Sequence, residues 1–183
     1  MRESIDINEA QAQNPEDLRG ALIDHLAYLV EEIEALQTVV GSVPDQIKNG
    51  RPAPGALTMK ELYGAIATLD EEVRPGRIER VTEEDEPTLS PVDIDAEVRE
   101  AGWNERELTT ILDRVEAARH QLVDRLNALS PEAWHRAATL EDEHYTLFEL
   151  VHRMTQEDLQ RLRDLGYRLH GAHLSDRDEP LPT

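Results

Sequence analysis

The feature that most limits what this chain can become is a helical period repeated in four separate stretches, with no stretch that alternates every second residue. Apolar residues fall at Leu18, Leu22, Leu29, Ile33, Leu36 and Val40, then at Leu62, Ile66, Leu69 and Val73. A third set is Leu108, Ile111, Leu112, Val115, Leu122, Leu126 and Leu129, and a fourth is Leu147, Leu150, Val151, Met154, Leu162, Leu165 and Leu169. Spacings of three, four and seven put each set on one helix face. Amphipathic helices must cover one another's stripes, and a chain of 183 residues has room for one such core. The reading is an all-α four-helix bundle in a single domain, 1–183, its ends about 1–14 and 175–183 frayed.

Start and stop signals set the boundaries. Pro15 with Glu16 and Asp17 opens helix one over 16–40, and Gly41 and Pro44 begin a breaker-rich connection that runs to Ala56. Thr58 with Glu61 three residues on is a capping-box pattern opening helix two over 58–80, which Pro75-Gly76 ends or kinks. The acidic, proline-punctuated run from Glu83 through Asp93 reads as a long surface crossover. Helix three is expected over 104–129, followed by a short turn at Ser130-Pro131-Glu132-Ala133-Trp134 and a polar loop. Thr146 then caps helix four over 146–168. No Asn-Gly or Asp-Gly pair is flanked by β-branched runs, so no hairpin is expected.

Composition matters mainly through what it excludes. Lys and Arg number 19 against 39 Asp and Glu, a formal charge of −20, which opposes any partner recognised through phosphate neutralisation, so nucleic acid is excluded. The chain has no Cys, which removes disulfides, thiolate metal sites and thiol nucleophiles. A polar start at Met1-Arg2-Glu3-Ser4 and the lack of a long apolar run lead to the expectation of a cytoplasmic protein with no membrane partner.

Leu57-Thr58-Met59-Lys60-Glu61-Leu62-Tyr63-Gly64-Ala65-Ile66-Ala67 resembles the helix-two signature of DinB-like proteins, in which a histidine stands where this chain has Ala65. Arg77-Ile78, Ala118-Arg119 with Leu122 and Leu126, and Leu129-Ser130-Pro131-Glu132-Ala133-Trp134 agree with the family in order and spacing. Thr146-Leu147-Phe148-Glu149-Leu150-Val151-His152, continuing to Leu162, resembles its helix-four signature. Two further family histidines fall on Glu157 and Arg161. The resemblance covers nearly the whole chain. It implies a four-helix bundle with a long crossover connection and a pocket at one end, where family members hold a divalent ion such as zinc or nickel on three histidines. It also implies a homodimer and a stress-associated setting.

Three-histidine metal chemistry needs neutral imidazoles around one ion with an open position. Here a methyl, a carboxylate and a guanidinium stand instead, and only Glu157 can donate to a metal. The expectation is therefore no metal and no cofactor, with an altered zinc or nickel site as the alternative. Glu157 and Arg161, four apart with the acid first, are placed to pair across the vestigial pocket, in which case removing Arg161 leaves Glu157 unpaired. The other reading of Arg161 is a fork for an anionic ligand, carboxylate or phosphate.

Asp158 continues the helix-four stripe and His25 sits between Leu22 and Leu29; either is a buried hydrogen-bonding group or a pocket residue. His144 and His152 lie eight apart, too far for a shared metal on one helix face, and His170 and His173 stand near a frayed end. Functionally, these observations describe a non-catalytic or small-ligand-binding DinB-like protein. The alternative is a hydrolase or thiol transferase, metal-dependent or not, with an altered site.

Overall fold

The computed structural model describes residues 15–175, with side chains to residue 169. Residues 1–14 and 176–183, expected to be frayed, lie outside the described residues, as do the side chains of His170 and His173. Helix α1 spans Pro15–Gln37 and the short α2 spans Asp45–Asn49. Helix α3, Met59–Thr68, runs through a π-helical turn at Leu69–Val73 into α4, Arg74–Glu83. Then come β1 (Thr88–Leu89), α5 (Ile94–Glu100), α6 (Leu108–Asn127), β2 (Ala137–Leu140), β3 (Glu143–Thr146) and α7 (Leu147–Ser175). The four long rods α1, α3–α4, α6 and α7 are the four expected helices, joined through an extended crossover between α4 and α6.

Local chemistry explains the ends and the one irregular turn. Thr58 accepts the Glu61 backbone N–H at 3.1 Å while the Glu61 carboxylate accepts the Thr58 N–H at 2.9 Å, closing the expected capping box. Thr146 and Glu149 do the same at α7. Pro75 does not end helix two. Its ring would collide with a carbonyl four residues back, and the ladder widens there instead, with the Arg74 N–H reaching Leu69 O, five residues back.

The connections carry more structure than sequence reading gave them. A three-stranded sheet in the order β1-β2-β3 pairs β1 parallel to β2 and β2 antiparallel to β3. It replaces the polar loop expected before helix four, and it is an appendage to the bundle rather than a layer of it. Its tight turn is Glu141-Asp142, both at positive φ (54° and 65°), as a two-residue hairpin turn demands. No glycine advertises that turn, so pattern reading passes over it.

The crossover is likewise packed rather than superficial: Leu89, Val98 and Trp103 are buried. A 3₁₀ turn at Trp103–Glu105 delays helix three to 108. Trp103 lies so close to Gly64 of α3 that a Cβ there would stand 2.4 Å from its ring, which requires glycine.

Two apolar clusters divide the core. One gathers Leu29, Ile33, Ile66, Leu69, Trp103, Leu112, Val115 and Leu165; the other gathers Leu26, Ile78, Val81, Leu122, Trp134, Leu140, Val151 and Met154. Every long rod passes from one cluster to the other. Of the residues placed on core faces, Leu22 is only half-buried and His25 is exposed, because α1 turns Leu26, Leu29, Val30, Ile33 and Leu36 inward. One position from Leu26 is about 100° around the helix, and this carries His25 out of the core and away from any pocket. Among the described residues no helix is long and apolar enough to cross a membrane.

Candidate functional site

Where the rods change from one cluster to the other, each of α4, α6 and α7 sets a charged side chain into the core, and the π-turn adds one more. Asp70, Arg74, Arg119 and Asp158 are each no more than 2% exposed. Arg74 donates to Asp70 Oδ1 at 2.7 Å and to Asp158 Oδ1 at 2.8 Å. Arg119 Nε donates to Asp70 Oδ2 at 2.6 Å, and its Nη1 donates to the Leu26 carbonyl of α1 at 3.1 Å. Arg119 Nη2 stands 2.7 Å from Asp158 Oδ2, closing a second ion pair. Two cations and two anions cancel, and all four rods are tied together.

Burial by itself would push the Asp158 carboxyl up. The two guanidiniums outweigh it and hold the group below its ordinary value. For Arg74, burial pulls down and the carboxylates of Asp158, Asp70 and Glu157 push up more strongly, so it stays cationic. Asp158 is therefore an interhelical buried partner and does not line the pocket.

Glu157, one residue earlier on α7, faces a different space. With Arg77, Arg153, Arg161, Glu141 and the apolar Leu69, Val73, Val92 and Leu140 it lines a cavity of about 180 Å³ between α4, α7 and the hairpin tip. Arg153 holds Glu141 at 2.9 Å and Glu157 at 3.4 Å, and Arg74 reaches Glu157 at 3.7 Å from behind.

Arg161 does not pair with the Glu157 carboxylate; its Nη1 donates to the Glu157 backbone carbonyl at 3.4 Å. The expected pair fails because Arg74 and Arg153 already flank that carboxylate. Arg77 donates to the Ser90 carbonyl at 3.0 Å. Burial lowers the pKa of Arg77, with Glu157 and Glu141 only partly opposing it. Among the described residues, neither Arg77 nor Arg161 has a carboxylate within ion-pairing distance.

Ala65 lies on α3 between Leu62 and Leu69, three residues after one and four before the other, and its methyl is fully covered. Of the three positions aligned with the family histidines, two thus share the cavity and the third belongs to the core behind it. His144 lies beside Thr139 and His152 beside Gln156, both on the exterior. Among the described residues no group of three or more His, Cys, Asp or Glu side chains is placed to hold an ion. A methyl, a guanidinium and a carboxylate already neutralised by two arginines do not fit a divalent cation.

The fold matches that of a solved structure. YfiT from Bacillus subtilis, described as a probable metal-dependent hydrolase with an unusual four-helix bundle topology, superposes with a TM-score of 0.69 over 93% of each chain at 16% identity. This chain has the DinB-like fold. No protein-family model and no curated protein sequence matches it.

Sequence reading missed Asp70, Arg74, Arg77, Arg119 and Arg153. The buried four had a signal: Asp70 and Arg74 are four apart at the end of helix two's stripe, Arg119 falls between Val115 and Leu122, and Asp158 between Met154 and Leu162. Charges on apolar stripes that sum to zero point to one another. Arg153 had one as well, standing four residues before Glu157 and eight before Arg161 on the same helix face, whereas Arg77 meets them only because α4 packs beside α7.

Proposed function

We propose that this chain is a non-catalytic DinB-like protein that binds a small anionic ligand, a carboxylate or phosphate, where its relatives hold a metal. The observation that carries the reading is the convergence of Arg77, Arg153 and Arg161 on one cavity against only Glu141 and Glu157, a wall charge of 3 − 2 = +1. In a chain of formal charge −20 such a surplus is local and specific. Among the described residues, two of those arginines have only backbone carbonyls as partners, leaving planar donor forks for an oxyanion.

Titration calorimetry with inorganic phosphate and acetate tests this. Binding by the natural chain should weaken roughly tenfold or more in Arg161→Gln, the loss of one charge-assisted hydrogen bond. Absence of binding by any anion would reject the reading. Elemental analysis of untagged protein decides the alternative: a stoichiometric zinc or nickel ion held through Glu157 would move the chain to a metal-dependent hydrolase or thiol transferase with an altered site.

The same reading takes the chain as a cytoplasmic, stress-associated homodimer with no nucleic-acid partner. Support for self-association comes from the exposed Leu18, Tyr28, Val39, Leu159 and Tyr167, which all lie on or just beyond α1 and on α7. Sedimentation showing only a 20.8 kDa species at micromolar concentration would reject the dimer.

A further inference from the structure

The arginine cavity does not end at Arg161. Glu157 and Arg161 also line a second cavity of about 390 Å³, which continues to Asp164 and Arg168. Asp164 and Arg168 in turn line a third, of about 620 Å³, between α2, the connection after it and the outer part of α7. Residues 157, 161, 164 and 168 are spaced four, three and four apart, so a single face of α7 lines all three cavities as one trough-like row.

Arg168 is the unusual group at the far end. Its Nη1 is buried and has no hydrogen-bond partner among the described residues. Burial lowers its pKa despite the nearby carboxylates of Asp164 and Glu61, with Arg51 adding to the lowering. A buried guanidinium N–H without an acceptor is costly, and an anion at this end of the cavity would offset the charge of the group that carries it. The cavity that Arg161 and Arg168 both line is also walled by the apolar Ala56, Leu57 and Leu62 and by Asp95, Glu157 and Asp164, which repel an acid held away from the arginines. Negative charge is tolerated at the ends and apolar substance in the middle.

We propose that this trough takes an elongated small molecule with an acidic group at each end, one on Arg161 with Arg77 and the other on Arg168. The proposal rests on the anion-site reading above and extends it to the chemical class of the ligand. Seven residues of helix separate the two arginines, about 10 Å at 1.5 Å per residue, so an aliphatic dicarboxylate of medium length matches the span.

The probes are azelate, its monomethyl ester and the shorter succinate, titrated calorimetrically into the full chain. Azelate should bind roughly tenfold or more tightly than the monoester, the worth of one further charge-assisted hydrogen bond, and succinate should bind no better than the monoester. Arg168→Gln should abolish the azelate advantage while leaving monoester affinity unchanged, Arg168→Lys should retain part of it, and Arg161→Gln should weaken both ligands. Melting curves establish that each variant is folded. Azelate binding no tighter than the monoester, or Arg168→Gln weakening both ligands equally, would overturn the two-ended trough and leave the anion site standing. If the monoester itself does not bind, the anion site falls and the trough falls with it.

Discussion

Glu157 and Asp158 are neighbours in the chain and belong to two regions built from the same side chains for opposite ends. Asp158 is 3% exposed at its side chain and sits between two guanidiniums in a closed, neutral set of four. Glu157 is 33% exposed and faces a cavity whose arginines outnumber its carboxylates. One step along a helix, about 100° around its axis, separates a dry network from a wet pocket. Arg74 touches both. Buried charges hold the rods in one arrangement only when every partner is present, whereas a pocket can recognise a ligand only if some donors are left unpaired.

The largest expected effect breaks the dry side. Asp158→Ala leaves Arg74 and Arg119 with Asp70 as their one remaining shared carboxylate, an uncompensated buried positive charge, and should cost about 3–5 kcal/mol in urea unfolding. A loss below about 1 kcal/mol would mean that water or relaxation compensates the pair. Replacing all four members with apolar residues of similar volume, in contrast, should recover most of that loss or exceed natural stability by about 1–4 kcal/mol. The anion affinity of the cavity should nonetheless fall in that variant, since Arg74 stands behind Glu157.

Acid should separate the regions next. The Asp158 carboxyl is held below its ordinary value, so its contribution is fully present above the unfolded Asp value of about 3.9 and is lost as pH falls below it. Glu61 behaves alike: burial raises its pKa, but Arg51, the Thr58 N–H and Asn104 together lower it. Urea midpoints should be flat between pH 5 and 7 and drop below about pH 4, with a shallower drop in Asp158→Asn. An unchanged slope in that variant would assign the acid sensitivity elsewhere.

Arg161→Ala should have the smallest effect on stability, within about 0.5 kcal/mol, because Glu157 keeps Arg153 and Arg74 as partners. A cost of several kcal/mol would restore the Glu157–Arg161 pair that spacing suggested and remove the free fork on which ligand binding depends.

The sequence by itself determined the bundle. Four stripes of period 3.6, the Thr58–Glu61 and Thr146–Glu149 boxes and the breakers after Val40 are local signals, and local signals place helices because each is satisfied within a few residues. Spacing also put Glu157 and Arg161 on one helix face.

Only the tertiary structure decided their partners. Arg74 comes to Glu157 across 83 positions and Arg119 to Asp70 across 49, contacts that no periodicity encodes. The Glu141-Asp142 turn, whose backbone adopts positive φ without glycine, brings Glu141 against Arg153 at the mouth of the cavity. Helix spacing fixes which way a side chain faces. What waits there is fixed by how the rods cross, and in this chain that crossing turned one expected ion pair into a buried quartet and an open arginine pocket.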